Sequence, residues 1–322
     1  MLDKVRSSPL WTLALTAVAA GAYLVSFLCL IAQLAPGIVA LELLVSFLPH
    51  SLIIGMLASL ALAIVRPNSA FMGGALVLAA AMPFLLFSKY EAPTKTECGP
   101  GECLTVITAN IYERRDAMEQ LAVLAIREQA DLISINEAVS RMTDYSYRQA
   151  FPDYPHVVHA AWENMPRHMG NPVTLLSRLP LADRDRILRR DTAGRAYITA
   201  DLSGDWQNTR IVLAHAMAPL WGDGLKARNT LLRVAGEAAL GSDAFIMLGD
   251  FNLTPWAPEF RRLPGRRAGD PRGVATWPTR LRAVGLPIDH IMFDGDLELV
   301  EVRVLESIGS DHLPVLARFR RR

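Results

Sequence analysis

Three long runs without a charged residue open the chain: Ser7–Leu41, Leu43–Val65 and Pro67–Ser88. A bilayer core takes about 20 residues of helix, so each run predicts a membrane-crossing helix, over Leu10–Leu34, Leu43–Val65 and Ala70–Phe87. A cleaved signal peptide would account for the first run alone, with its small residues "TAVAAGA". Two further runs follow at once, and the reading is an uncleaved anchor of three transmembrane helices over residues 1–90.

After Ser88 the pattern changes. "KYEAPTKTECGPGE" is polar and rich in chain breakers, which makes 91–103 a juxtamembrane linker. Short apolar runs then alternate with turns: "LTVITAN", "DLISINE", "PVTLLSR", "AYITADLS", "TRIVLAHAM", "AFIMLGDFN", "IDHIMF", "LELVEVRVL" and "PVLARF" each read as a strand. "RDAMEQLAVLAIREQ" and Leu225–Gly241 read as amphipathic helices. Many strands and few helices in mixed order predict one domain over 104–322. Its architecture is α/β, two packed sheets flanked by helices in a four-layer sandwich.

The 322 residues carry a formal net charge of +1, and 51% are hydrophobic. From Cys98 onward acids and bases are equal in number. That disfavours an obligate high-affinity nucleic-acid binder, which shows a basic bias. One local exception is Arg261, Arg262, Arg266, Arg267 and Arg272, which is either a solvated surface or a contact for phosphates of nucleic acid or anionic lipid. Lys4 and Arg6 before the first run and Arg66 before the third favour an inside amino terminus. Three crossings then put the domain outside, although Lys89 and Lys95 narrow the bias. Cys98 and Cys103 bracket "GPGE" and can close as a disulfide in an oxidising compartment; free thiols are the alternative. A zinc half-site lacks a second pair at ligand spacing. The expected place is the inner membrane, multi-pass, with a periplasmic domain.

Polar residues gather at the ends of the apolar runs. Asn110 follows "LTVITA", Glu137 follows "LISIN", and His215 follows "IVLA". Asp250 and Asn252 close "AFIMLGDFN", Asp289 follows "LPI", and Asp311 and His312 stand in "IGSDHLPV". Each alone has a turn or capping role. Together they predict one rim lined with acids, amides and two histidines, a composition suited to one hard divalent cation and attack on a phosphate ester.

The segments "TAN", "NEA", "LAHAMAP", "GDFN", "PIDHI" and "GSDHLP" occur in the order found in the endonuclease/exonuclease/phosphatase superfamily, the deoxyribonuclease-I-like proteins. The resemblance covers Leu104–Phe319 and extends, with "TWP" at Thr276–Pro278, to bacterial members carrying three amino-terminal membrane helices. It implies a metal side formed by Glu137, Asn110 and Asp311, holding Mg²⁺ with Mn²⁺ as a substitute. It implies that Asp250 orients or deprotonates the attacking water and that Asn252 bonds the phosphoryl oxygens. His312 would contact phosphate with Asp289 fixing its tautomer, and His215 would protonate the leaving oxygen, partnered by a carboxylate for which Glu163 is a candidate. Asn136 stands where the family commonly has Gln. Trp277 and Trp256 either stack on a base or sugar or fill the interior.

The resemblance therefore implies a membrane-anchored, metal-dependent phosphoesterase working by in-line water attack on phosphorus. Its substrate would be nucleic acid or a phospholipid headgroup, and the lipid bilayer its constant partner. A catalytically silent binding protein that keeps the fold is the alternative; the intact set of eight residues speaks against it.

Overall fold

A computed structural model of the protein describes residues 9–34, 37–65, 69–86, 89–99, 101–139, 142–161, 172–188, 192, 194–220, 223–269 and 274–322. The chain divides into two compact units, 1–88 with 255–261 and 89–254 with 262–322.

The first unit contains helices α1 (Pro9–Leu34), α2 (Val39–Val45), α3 (Leu48–Val65) and α4 (Ser69–Leu86). Two stretches, Pro9–Cys29 and Leu48–Val65, are long and apolar enough to cross a membrane, and Ala70–Ala80 is a shorter apolar helix. Among the described residues there are thus two candidate spans where three were expected. The second begins at Leu48, because a turn at Ser46–Phe47 separates it from α2 and leaves Glu42 in that short helix. Small residues let α1 and α3 approach closely. Ala19, Ala22 and Ala58 are buried, and the Tyr23 hydroxyl meets Ser59 Oγ at 2.5 Å.

The second unit is built on thirteen strands. They are β1 (Tyr90–Glu91), β2 (Leu104–Asn110), β3 (Leu132–Asn136), β4 (His156–Ala160), β5 (Val173–Ser177), β6 (Leu181–Leu188) and β7 (Ala196–Leu202), followed by β8 (Thr209–Ala214), β9 (Ala244–Asp250), β10 (Arg266–Ala268), β11 (Asp289–Asp294), β12 (Leu297–Val304) and β13 (Val315–Arg321). The helices of this unit are α5 (Arg115–Arg127), α6 (Asp144–Ala150) and α7 (Gly224–Ala239). One sheet runs β1-β10-β11-β9-β8-β7-β6 and the other β12-β13-β2-β3-β5-β4.

Side chains alternate along each strand. Val106, Leu132 and Leu175 therefore enter one core with Ile198, Leu213, Ile246 and Phe293 of the other sheet. Their neighbours Ile107, Ile133 and Leu176 pack outward on Leu121 and Leu124 of α5 and on Tyr147 and Phe151. Central strands covered on both faces read as continuous apolar runs, which is why β2, β3 and β9 were visible as strands. α7 covers β8 and β9, completing the expected helix–sheet–sheet–helix order.

Five elements went unpredicted: α6, β1, β4, β6 and β10. β6, "LADRDRIL", is an edge strand whose alternating charges hide it. β1 lies in the expected linker, yet Tyr90 and Glu91 pair in parallel with Arg267 and Ala268, and Glu91 forms an ion pair with Arg266. Further on, the amides of Thr94 and Lys95 donate to the carbonyls of Leu299 and Val300, each at 3.0 Å. Cys98 and Cys103 are joined in a disulfide.

Strand direction decides where the chemistry collects. β2 and β3 are parallel, as are β8 and β9, and the Asn110–Asp250 hydrogen bond shows that both pairs end at one rim. β11 and β13 run antiparallel to β9 and β2 and begin at that same rim.

Candidate active site

Six strand ends deliver the eight expected residues to this rim. The Asn110 amide stands between two carboxylates, donating from Nδ2 to Glu137 Oε1 at 3.2 Å and to Asp250 Oδ2 at 3.1 Å. Its Oδ1 accepts the Tyr112 amide N–H at 3.0 Å. Glu137 leaves the strand with φ of 46°, in the left-handed region that bulky residues avoid. Asn252 has the same φ, 46°. Its backbone N–H donates to Asp250 Oδ1 at 2.9 Å, and its Nδ2 to the Ala216 carbonyl at 3.0 Å. The side chain thus keeps one N–H and its carbonyl oxygen for other partners.

Gly249 makes this arrangement possible. Its φ is 143°, and a Cβ there would collide with the carbonyl oxygen of Ala214. β8 and β9 can close on each other only without a side chain at this position.

Asp250 and Asp289 are direct cross-strand partners, and like charges in that position repel. Burial first, then Asp289, push the Asp250 carboxyl up to about 7. His312 lies against both acids, with Nδ1 2.9 Å from Asp289 Oδ2 and Nε2 3.8 Å from Asp250 Oδ2. Burial opposes charge on this ring, but Asp289 and Asp250 outweigh it and raise the imidazole to about 10. An imidazolium held by Asp289 therefore directs Nε2–H at the centre of the site.

His215 sits opposite. Its Nε2 is 3.6 Å from Asp250 Oδ2 and 3.7 Å from Glu137 Oε1. Its Nδ1 faces Arg195 Nη1 at 3.3 Å. A guanidinium only donates, so Nδ1 must accept and the ring proton rests on Nε2. Burial and the Arg195 charge hold His215 neutral, well below the ordinary imidazole range. Sequence reasoning gave this ring a carboxylate partner and a proton-donating role. Among the described residues its Nδ1 partner is a cation, and Glu163 lies outside the described residues.

Asp311 borders the same rim, with Oδ2 accepting from Trp277 Nε1 at 3.1 Å. The Trp277 and His312 ring centroids are 6.4 Å apart. Asn136, the departure from the usual glutamine, is buried and donates to Thr108 Oγ1 at 3.1 Å.

Two residues escaped the sequence reading. Arg195 is buried beside His215, signalled only by a lone cation opening the apolar run "RAYITA". Arg228 is buried on α7 and donates from Nη1 to the backbone carbonyl of Asn252 at 3.2 Å; an arginine amid the apolar helix positions Leu225, Leu231 and Leu232 was its trace. The arginine cluster, read as either a solvated surface or a phosphate contact, is partly structural. Arg266 pairs with Glu91 and Asp294, and the buried Arg267 donates to His290 Nδ1 at 3.2 Å; Arg272 lies outside the described residues.

A profile described as the Endonuclease/Exonuclease/phosphatase family matches residues 107–312, the span from β2 to His312. The chain belongs to that family. Solved structures share its fold. An endonuclease/exonuclease/phosphatase from Beutenbergia cavernae is 16% identical, with a TM-score of 0.57 over 68% of this chain and 72% of that one. D. rerio TDP2, solved with a single-stranded DNA product, is 15% identical, with a TM-score of 0.56 over 68% of this chain and 99% of its own. The 3′ phosphatase NExo from Neisseria, bound to a product DNA hairpin, is 18% identical, with a TM-score of 0.51 over 66% and 98%. No curated protein matches the chain.

The donor set of this family member fits a hard divalent cation. Three carboxylates meet here, the buried Asp250 and Asp289 and the half-buried Glu137. Burial raises Glu137 above the ordinary carboxylate range, and Asp311 adds to that shift. Such crowding is what a cation relieves. Asp250, Asp289 and His312 offer ligand atoms within 4.8 Å of one another, but His312 Nδ1 is committed to Asp289. The oxygen donors of Glu137, Asp250 and Asp311 suit a hard divalent cation better.

Proposed function

We propose that the protein is a membrane-anchored, divalent-metal-dependent phosphodiesterase. The observation that carries the reading is the His312–Asp289 pair aimed at Asp250, with Asn110 tying Asp250 to Glu137. Glu137, with Asp250 and Asp311, would hold Mg²⁺, or Mn²⁺ in its place, and the ion would neutralise charge on the phosphoryl group. Asn110 positions two of these acids.

Asp250 takes the proton of the attacking water. The new P–O bond forms in line with the leaving oxygen, whose bond to phosphorus breaks. His312 Nε2–H and the free Asn252 N–H meet the non-bridging oxygens as their charge grows. His215, neutral and protonated on Nε2, adds a third donor rather than a proton. With its ring unable to supply one, His312 or solvent protonates the leaving oxygen. Hydrolysis of phosphate esters is thus the reaction class; the domain boundaries 1–90, 91–103 and 104–322, the inner-membrane location and the outward-facing domain belong to the same proposal. The α1 and α3 apolar helices support the anchor, and the Cys98–Cys103 bond supports an oxidising compartment.

The test assays the full chain in detergent micelles on bis-p-nitrophenyl phosphate, DNA, RNA and phospholipids, with and without Mg²⁺. Metal-dependent turnover lost in Asp250→Asn and His312→Gln is expected. Turnover that persists in both variants would sink the reading.

A further inference from the structure

Beside the site stands a small hairpin with an exposed tip that is both apolar and basic. Trp277 and Leu286 bridge its stem, and the tip carries "TRLRAV", Thr279–Val284. Leu281 is 57% and Val284 53% exposed, and Val274 just before the stem 50%. Among the described residues from Lys89 onward, nine large hydrophobic side chains are exposed, and three of them fall in this stretch. Single exposed aliphatics are ordinary, whereas a cluster calls for a partner. Arg280 and Arg282 flank Leu281, both exposed and with no carboxylate partner among the described residues. The sequence from 271 to 288 has no acidic residue.

The stem is fastened to the reacting groups. Thr279 N–H donates to the Asp311 carbonyl at 2.9 Å, and Leu313 N–H to the Thr276 carbonyl at 2.9 Å. Thr276 Oγ1 accepts the backbone N–H of Asp289 at 3.2 Å. Whatever the tip rests on is therefore held in register with Asp289, Asp311 and His312.

We propose that this tip seats on an anionic bilayer surface and presents headgroup phosphates to the site, making a membrane phospholipid its substrate. Leucine and valine at the apex with arginines beside them are the composition of an interfacial wedge. Nucleic acid would engage the arginines but leave the aliphatic apex unmatched. The inference rests on the anchored-phosphodiesterase reading above, which keeps the domain beside a bilayer.

The test reads position rather than turnover. The full chain in nanodiscs of phosphatidylethanolamine and phosphatidylglycerol carries an NBD label at Leu281→Cys or, as control, at Leu240→Cys, since Leu240 is 65% exposed at the end of α7. At 281 the emission shifts to the blue and doxyl-labelled lipid quenches it; at 240 neither occurs. Arg280→Glu with Arg282→Glu, or phosphatidylcholine discs, weakens the effect at 281. A label at 281 as aqueous as at 240, or one that responds only to added DNA, overturns the inference. Failure of the chain to enter discs overturns the anchoring reading and this inference together. Turnover of bis-p-nitrophenyl phosphate by the Leu281→Cys chain reports separately on the hydrolase reading.

Discussion

Arg195 points its guanidinium at Nδ1 of His215 from 3.3 Å, and by doing so chooses which nitrogen of that ring carries the proton. Burial, with this cation added to it, makes the histidine a fixed donor and denies it a second proton.

Replacing Arg195 with Met should release that constraint. The ring then titrates closer to the ordinary histidine range, because one of the charges depressing it is gone. Loss of one oriented donor should lower kcat by about 10²-fold. Nitrogen-15 correlations of the imidazole report the tautomer, and a wild-type Nε2–H signature in Arg195→Met would refute the assignment.

The His312–Asp289 pair predicts a pH dependence of stability. His312 is raised to about 10 when folded, so its contribution is fully present below the unfolded imidazole value of about 6.5 and disappears as pH climbs through the folded one. Asp250, raised to about 7, loses stability between its unfolded value and 7 and adds no slope above. With metal chelated, Tm should fall by roughly 5 °C or more between pH 7 and pH 10. His312→Gln should flatten that decline; an unchanged slope would assign it elsewhere.

Metal occupancy should be visible without any substrate. A ligand present at a hundred times its Kd stabilises by about 2.7 kcal/mol, so Mg²⁺ should raise Tm. Glu137→Gln should abolish the rise while the variant still melts cooperatively. Equal stabilisation of both proteins would move the ion away from Glu137.

Gly249→Ala tests the close approach beneath the site. The added methyl meets the Ala214 carbonyl at a φ that L residues rarely adopt, and the cost should be about 3–5 kcal/mol. Denaturant unfolding measures it. A loss under about 1 kcal/mol would mean that β8 and β9 part easily.

Much of this was readable in the chain because its central strands are buried on both faces. "LTVITAN", "DLISINE" and "AFIMLGD" announced themselves as apolar runs, and their polar ends became Asn110, Glu137 and Asp250. β6 stayed hidden because an edge strand needs no apolar pattern, and β1 because two residues carry no period at all. Arg195 and Arg228 were illegible for another reason. A buried arginine looks like any surface cation until tertiary structure shows what its guanidinium touches, here His215 Nδ1 and the backbone carbonyl of Asn252. The tautomer of His215 follows from such a contact and from nothing local.

The position of β13 has a bearing on how the protein is made. It pairs with both β12 and β2, so the strand bearing Asn110 waits for a neighbour synthesised some two hundred residues later. His312, just ahead of that strand, arrives last among the eight residues. A chain still on the ribosome, or one cut short before this point, holds a rim without its imidazolium and with β2 unpaired on one side. A chain that stops before His312 therefore lacks the His312–Asp289 pair on which the proposed hydrolysis depends.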